Sequence, residues 1–307
     1  MRLNSHFLCY DYHMLIVIVG PTGCGKTDIA LRLADFYHAP IINADAFQIY
    51  EGMDIGTAKI AKGSEEYKKH YLLDIVKPNQ SYSVKQYQED FRKTYLALKK
   101  QYQNIIVCGG TGLYIKAALY DYQFENEETA DVSDLENMSN KELYELLQKV
   151  DPKATKTIHM NNRKRVIRAI QIARTHDLNK SDSIDKQEHR LFFDGGTVNF
   201  YFLNPNREQL YENINTRVDL MMQNGLVDEV KELLQKYRLS LTAKAAIGYK
   251  EVIEYLDNSY SLEECVELVK KRTRNYAKRQ VTFFKHQLPC LEFDSKESLL
   301  KEAMKNE

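Results

Sequence analysis

The sequence has few cysteines, and no two of them are spaced as metal ligands. Five cysteines are scattered over 307 residues without a Cys-x-x-Cys pair. This spacing argues against a disulfide framework and against a zinc site. Isolated thiols are typical of a reducing compartment, so we expect a cytoplasmic protein.

Long apolar runs are also missing. No run approaches the roughly 20 residues that a membrane-spanning helix needs. The apolar run before Gly20 is shorter than the core of a signal peptide. We therefore expect no membrane partner. Residues 1–13 are polar, aromatic and aperiodic, and we expect this extension to be disordered or dispensable, with Met14 as a possible physiological start.

Neither sign of charge is in excess, since 43 basic side chains balance 43 acidic ones. A nucleic-acid surface must then be a local patch. One candidate is the predicted helix that starts near Asn161, where four cations occur without a carboxylate. The other is the stretch 270–286, which has no acid and interleaves cations with aromatic residues. The first patch could instead be a solvated charged face, whereas the second indicates a nucleic-acid or diphosphate surface.

The most specific motif follows the apolar run 15–19. It has the pattern Gly-x-x-x-x-Gly-Lys-Thr and consists of Gly20, Pro21, Thr22, Gly23, Cys24, Gly25, Lys26 and Thr27. The pattern predicts a buried parallel strand, a phosphate-binding loop and the first turn of a helix. Lys26 would neutralise phosphate oxygens, and Thr27 could ligate Mg²⁺. A glycine-rich turn without a ligand is the alternative. The motif does not distinguish hydrolysis, phosphoryl transfer and departure of the phosphates as a leaving group.

Two further predicted strands end beside this loop. Residues 40–43 lead into Asp45, and residues 104–108 lead into a Gly-Gly-Thr-Gly turn that contains Thr111. Because ligands bind beyond the carboxyl ends of parallel strands, both residues should lie at the phosphate site. We favour Asp45 as a general base over a helix cap or a metal-bound acid. Thr111 either contacts substrate or stabilises its own turn.

A later helix carries Arg217 one turn above an apolar face, from which it could reach the phosphates as a clamp. A surface arginine is the alternative. The strand at 104–108 ends without the acid that P-loop hydrolases usually place there, so activation of water is not obviously built in.

The order of these segments predicts an α/β fold, with a P-loop NTPase-like parallel sheet flanked by helices and a mostly helical insertion. We place the first part of the core at residues 14–120, the insertion at 121–196 and the second part of the core at 197–307. Within the insertion we expect one helix over 134–150, another that starts at Asp151-Pro152, and a third from Asn161. The third should bury Val166, Ile167, Ile170 and Ala173.

Taken together, the motifs resemble those of the bacterial tRNA dimethylallyltransferases, in order from Val17 to Phe284. The segments that carry the resemblance are 20–27, 45–50 with 53–59, 109–114, 161–169, 225–230, 248–251 and 276–280. Seven motifs in register are far more specific than any one of them.

The resemblance implies transfer of the dimethylallyl group of dimethylallyl diphosphate to N6 of the adenosine 3′ to the anticodon (position 37), with release of pyrophosphate. It implies a diphosphate held by residues 20–27 with Mg²⁺ on Thr27, Asp45 as general base, and catalytic roles for Thr111 and Arg217. It also implies a tRNA anticodon stem-loop as partner, and we expect a monomer. The implied tRNA-binding residues are Asp45, Ala46, Phe47, Gln48, Thr111, Asn161, Asn162, Arg163, Lys164, Arg165, Lys278 and Arg279.

The sequence departs from the family pattern at three places: Ala46 replaces a serine, Asn162 replaces an aspartate, and Tyr71 replaces a histidine. None of these touches the implied catalytic residues, so we expect an active enzyme. Three other functions stay open, namely an adenylate isopentenyltransferase, a small-molecule P-loop kinase and a non-catalytic RNA-binding module. The two basic stretches argue against the first, because a free nucleotide needs no such surface.

Overall fold

The computed structural model describes residues 13–122, 124, 130–176, 190–193 and 196–305. The prediction for the N-terminal extension lies outside these residues, except that His13 begins the first strand. The chain divides into two compact units. The first unit consists of residues 1–119 and 193–307, and the second of residues 120–192.

A six-stranded parallel sheet forms the centre of the first unit. Its strands are β1 (His13–Val19), β2 (Ile41–Asn43), β3 (His70–Tyr71), β4 (Asn104–Gly109), β5 (Gly196–Leu203) and β6 (Leu291–Phe293), in the order β3-β2-β4-β1-β5-β6. Strand β1 pairs in parallel with β4 on one side and β5 on the other. It reads as one continuous apolar run because both faces of the sheet are covered. The predicted parallel α/β fold is confirmed.

The helices follow the strands in alternation and then accumulate toward the C-terminus. They are α1 (Lys26–Phe36), α2 (Glu65–Lys68), α3 (Val84–Leu98), α4 (Gly112–Leu119), α5 (Asn140–Val150), α6 (Arg163–His176), α7 (Arg207–Gln223), α8 (Leu226–Lys236), α9 (Leu241–Lys244), α10 (Tyr249–Leu256), α11 (Leu262–Gln287) and α12 (Lys296–Ala303). Helix α1 packs Ile29 and Leu33 against β1 and β4 residues such as Ile16 and Ile106. In the described part of the chain, no helix is both long enough and apolar enough to cross a membrane.

The second unit differs from its prediction in two places. The helix expected over 134–150 is divided into a single 3₁₀ turn at Ser133–Leu135 and helix α5. The division occurs because Ser139 and Glu142 form a capping box, in which each side chain accepts a hydrogen bond from the other's backbone N–H. Asp151 caps no α-helix; its carboxylate accepts a hydrogen bond from the backbone N–H of Ala154 and starts only a 3₁₀ turn.

Helix α6 supplies much of the small core of the second unit. Val166 and Ile170 are fully buried as predicted, and Ile167 packs at the edge of the cluster. Ala173 is only half-buried, and Ala169 fills the predicted inner face instead.

Candidate active site

The phosphate-binding loop connects β1 to α1, and its conformation depends on two glycines. Gly23 and Gly25 have φ angles of 83° and 91°, a region that residues with a Cβ rarely adopt. A Cβ on Gly23 would also lie 2.9 Å from Cγ1 of Ile214. Lys26 donates a hydrogen bond from Nζ to the carbonyl of Pro21, at 3.4 Å, so its ammonium group lies over the loop. The geometry is that of a loop shaped for an anion.

A polar cleft of about 50 Å³ opens beside this loop. The loop after β2, the end of β4 and α7 contribute to it. The polar side chains that line it are Thr22, Lys26, Thr27, Asn43, Asp45, Gln48, Thr57, His70 and Arg217. The cleft therefore contains Asp45 together with Lys26, Thr27 and Arg217, whereas Thr111, which was predicted to lie at the same site, does not line it.

Asp45 lies where the sequence places it, two residues after the end of β2. One carboxylate oxygen accepts the backbone N–H of Phe47 at 2.9 Å, and the amide oxygen of Asn43 accepts the N–H of Asp45 at 3.1 Å. Asn43 is buried and is itself held by the carbonyl of Leu72. Asp45 therefore caps its own turn, as the structural alternative supposes. It also lines the cleft, so the two roles are compatible.

Thr111 connects the loop after β4 to the loop of Asp45. Its hydroxyl oxygen accepts the backbone N–H of Ala46 at 3.0 Å, and its own N–H donates to the carbonyl of Ala44 at 3.1 Å. The hydroxyl proton of Thr111 is not used in the bond to Ala46. Thr111 therefore stabilises the turn that carries the predicted base.

Tyr276 lies near these two residues on α11, and sequence analysis did not single it out as a site residue. Burial, with the Asp45 carboxylate as a smaller contribution, raises the pKa of Tyr276 to about 12. The phenol is therefore neutral at physiological pH and can donate a hydrogen bond at the site.

Arg217 is not the surface arginine of the alternative interpretation. Its guanidinium donates to the carbonyl of Thr57 at 3.1 Å, and Gln48 donates to the same carbonyl at 3.1 Å. Burial lowers the pKa of Arg217, while the charge of Asp45 opposes the shift. Arg217 thus brings a cation to the same cleft as the phosphate-binding loop.

The segment that supplies this carbonyl, residues 54–59, is held at both ends. The carboxylate of Glu229 accepts the backbone N–H groups of Asp54, Ile55 and Gly56 at 2.7–3.3 Å. Lys59, whose side chain is 1% exposed, forms ion pairs with Asp54 at 2.7 Å and with Asp74 at 2.5 Å. Lys59 is thus a structural residue that fixes the segment beneath Arg217.

Gln280 is a second residue that sequence analysis missed. Its amide oxygen accepts the backbone N–H of Thr22 at 2.9 Å, and its amide nitrogen donates to the carbonyl of Gly110 at 2.8 Å. The residue is 5% exposed. It therefore joins the phosphate-binding loop to the glycine-rich turn after β4. Gln280 ends the segment 276–280 of the family resemblance, but nothing in the sequence indicates its two partners.

We expect Gln280→Leu to weaken both glycine-rich loops. Leucine keeps the approximate volume but leaves the Thr22 N–H and the Gly110 carbonyl without their partner, at a cost of about 1–3 kcal/mol. Chemical denaturation should show this loss. Gln287→Leu, at an exposed position on the same helix, is the control. Equal stability of the two variants would contradict the assigned role of Gln280.

The acid-free stretch on α11 is mostly not a free basic surface, which corrects the prediction for residues 270–286. Lys270 pairs with Asp219 of α7 at 2.8 Å, and Arg272 pairs with Glu251 of α10. Arg274 donates to the amide oxygen of Asn215 at 2.5 Å. Arg272 and Arg274 have their partners on neighbouring helices, and Lys270 pairs in addition with Glu267 of α11 itself, at 3.3 Å.

Two predicted RNA contacts on α11 remain exposed. They are Lys278 and Arg279, and the guanidinium of Arg279 lies 5.6 Å from the ring centre of Tyr276. The exposed basic part of α11 is therefore shorter than the acid-free stretch.

On α6 of the second unit, Arg163 is committed to internal contacts. Its guanidinium donates to the carbonyls of Leu135, Glu136 and Met138 at 2.5–3.0 Å. Lys164 and Arg165 are exposed, as are Asn161 and Asn162 just before the helix. The geometry therefore gives Arg163 a role in stabilising the unit, and it leaves its neighbours at the surface.

An apolar chamber of about 70 Å³ lies on the other side of Asp45 and Arg217. Its walls come mainly from α7, from α11 and from the segment between α9 and α10. The apolar lining residues are Phe47, Ile214, Val218, Met221, Ala246, Ile247 and Val269. The chamber and the polar cleft share four residues, Thr22, Asp45, Thr57 and Arg217, and so meet at this point.

Comparisons with known proteins agree over most of the chain. A family model described as IPP transferase matches residues 48–287. A tRNA dimethylallyltransferase of Anoxybacillus flavithermus is 40% identical over 295 residues, which cover 95% of this chain and 94% of the relative. The crystal structure of a tRNA isopentenylpyrophosphate transferase from Staphylococcus epidermidis aligns with a TM-score of 0.68 at 36% identity, over 95% of this chain and 98% of that one. The structure of a eukaryotic dimethylallyltransferase acting on tRNA aligns with a TM-score of 0.79 at 27% identity, over 96% of this chain and 79% of that one.

Proposed function

This chain belongs to the IPP transferase family, and we propose that it transfers the dimethylallyl group of dimethylallyl diphosphate to N6 of adenosine 37 in tRNA. One observation carries the proposal. A polar cleft beside a phosphate-binding loop meets an apolar chamber at Asp45 and Arg217. Such a pair of cavities fits a substrate with a diphosphate at one end and a short hydrocarbon at the other.

The phosphate-binding loop, residues 20–27, would hold the diphosphate. Its backbone N–H groups, the first turn of α1 and the ammonium group of Lys26 all favour an anion there. Arg217 would approach the same diphosphate from the opposite wall. This arrangement supports a diphosphate that departs as a leaving group, because its negative charge grows when the bond to carbon breaks.

The residues present also fit Mg²⁺. Thr27, Asn43 and Asp45 give the cleft the oxygen donors that this ion prefers. Among the described residues, no group of three or more His, Cys, Asp or Glu side chains could hold a metal. We infer that Thr27 is the main protein ligand, with substrate oxygens and water completing the coordination. When bound, Mg²⁺ would neutralise part of the charge on the diphosphate.

The reaction would take place where the two cavities meet. The C1–O bond of the substrate breaks, its electron pair leaves with the diphosphate, and the N6 atom of adenosine forms a bond to C1. A proton from N6 passes to the carboxylate of Asp45, which acts as general base. Thr111 would keep the turn of Asp45 in place, and the neutral phenol of Tyr276 would offer a donor to the adenine or to a bridging oxygen.

The adenosine must leave its stack in the anticodon loop to reach N6, at a cost of roughly a few kcal/mol. We propose that protein contacts to the anticodon stem-loop supply this energy. Residues 45–48 and Thr111 would contact the flipped base. Exposed residues of each unit would contact the RNA. They are Asn161, Asn162, Lys164, Arg165, Lys278 and Arg279. Arg163 would act mainly by holding the second unit together. We further propose that the enzyme is monomeric and works in the cytoplasm.

We expect Lys164→Gln/Arg165→Gln to weaken tRNA binding with a shallower salt dependence. Each phosphate contact that is lost should reduce the slope of log K against log salt by about 0.7–0.9. Filter binding of unmodified tRNA across a salt series measures this slope. Lys141→Gln/Lys149→Gln removes the same charge from α5 and is the control. If both double variants show the wild-type slope, the proposed RNA contact on α6 is wrong.

A mass-spectrometric assay tests the proposed reaction against the alternatives. Purified protein is incubated with dimethylallyl diphosphate, Mg²⁺ and unmodified tRNA, beside matched reactions that contain AMP or ATP in place of tRNA. We expect isopentenyl-adenosine only in the tRNA reaction. Prenylated free nucleotide would instead favour an adenylate isopentenyltransferase. An intact diphosphate in every reaction would refute prenyl transfer and restore the kinase interpretation.

A further inference from the structure

The far end of the apolar chamber lies opposite the phosphate-binding loop, and two helices define the direction. Helices α7 and α11 run antiparallel, because Asn215 contacts Arg274 and Asp219 contacts Lys270. On α7, Ile214 marks the end of the chamber nearest the phosphate-binding loop, since its Cγ1 lies close to Gly23. The chamber therefore extends from the loop along both helices.

Met221 lies two turns beyond Ile214, about 10 Å farther along α7 at 1.5 Å per residue. Helix α11 runs in the other direction, and on it Val269 precedes Tyr276 by seven residues, the same separation as between Ile214 and Met221. Both side chains line the chamber and are buried. Because the Asp219–Lys270 pair fixes the two helices level at this point, Met221 and Val269 face the same depth of the chamber.

The volume of the chamber matches a short chain. A cavity of about 70 Å³ is on the scale of a short hydrocarbon group. A dimethylallyl group has five carbons, and the next homologue in the isoprenoid series, the geranyl group, has ten. Met221 and Val269 lie at the end of the chamber farthest from the loop, where an additional isoprene unit would have to fit.

We propose that Met221 and Val269 together determine the length of the prenyl group that this enzyme accepts. The inference rests on the proposed function and adds the residues that select a five-carbon allylic diphosphate over longer ones. Replacing methionine by alanine removes three heavy atoms, and replacing valine by alanine removes two. The double replacement Met221→Ala/Val269→Ala thus removes five heavy atoms, which is the number of carbons in a second isoprene unit.

The test compares dimethylallyl and geranyl diphosphate with wild type, with Met221→Ala/Val269→Ala and with a matched control. In each turnover the C1–O bond breaks, N6 binds C1, an N6 proton goes to Asp45 and diphosphate leaves. We expect the double variant to raise kcat/KM for geranyl diphosphate by about 10- to 200-fold over wild type. The control Met222→Ala/Val227→Ala loses the same atoms from residues that do not line the chamber, and it should behave as wild type.

A single replacement provides a second test if the double variant does not fold. Met221→Ala should accept an allylic diphosphate three carbons longer than dimethylallyl and should still discriminate against geranyl. Thermal unfolding and turnover of dimethylallyl diphosphate confirm that each variant is folded.

Two results would overturn the length assignment alone. One is a double variant that is active on dimethylallyl diphosphate and no better than the control on geranyl diphosphate. The other is a wild type that uses both donors equally well. A wild type that prenylates no tRNA from dimethylallyl diphosphate would refute the proposed function itself, and the length assignment with it.

Discussion

Asp45→Asn should lower kcat for prenyl transfer by about 10²- to 10⁴-fold, the usual contribution of a general base. The amide cannot take the N6 proton. Its oxygen can still accept the N–H of Phe47, so the turn after β2 should persist. Single-turnover formation of isopentenyl-adenosine measures the loss, and tRNA binding should be retained.

Two companion variants separate chemistry from folding of the loop. Asp45→Ala removes both the base and the hydrogen bond to Phe47, so it should be less stable than Asp45→Asn and no more active. Asp228→Asn changes an exposed acid on α8 and should have wild-type activity. An Asp45→Asn enzyme that turns over as fast as wild type would show that Asp45 only caps its turn.

Lys26→Ala should reduce kcat/KM for dimethylallyl diphosphate by about 10²- to 10³-fold, as expected when one donor to a developing anion is lost. The ammonium group of Lys26 lies over the phosphate-binding loop and would neutralise the departing diphosphate. Pyrophosphate release under single-turnover conditions measures the effect. Binding of tRNA should persist, because the proposed RNA contacts lie elsewhere.

The kinetic parameter that changes in Lys26→Ala is informative. Loss in kcat shows that Lys26 acts on the transition state, whereas a rise in KM with constant kcat means that it binds ground state and transition state equally. Lys301→Ala on α12 removes an exposed ammonium group and is the control. Wild-type kinetics in Lys26→Ala would exclude the loop as the diphosphate site.

The central part of the fold could be predicted because its signals are local. The continuous apolar run of β1 and the glycine pattern that follows specify a buried strand and a phosphate-binding loop within a few residues of each other. Strands β3 and β6 are two and three residues long, and such short strands have no periodicity to detect. They exist because the sheet supplies an edge with which they can pair.

Side-chain partners across helices could not be predicted from sequence spacing. Lys270 and Arg272 face Asp219 and Glu251 of neighbouring helices, and the sequence alone could not show this pairing. Gln280 shows the same limit, because its two partners lie in loops more than 160 residues away. In the sequence, Met221 and Val269 have the character of ordinary core residues. Their place in a common chamber follows only from the packing of α7 beside α11.

The position of β1 in the sheet has a consequence for synthesis of the protein. Strand β1 is made first, yet its register on one side is set by β5, from His13 opposite Gly196 to Val19 opposite Phe202. Most of the chain must leave the ribosome before the central strand is paired on both sides. The phosphate-binding loop gains Gln280 later still. A nascent or prematurely terminated chain that ends before α11 therefore contains the complete glycine motif but cannot form the site around it.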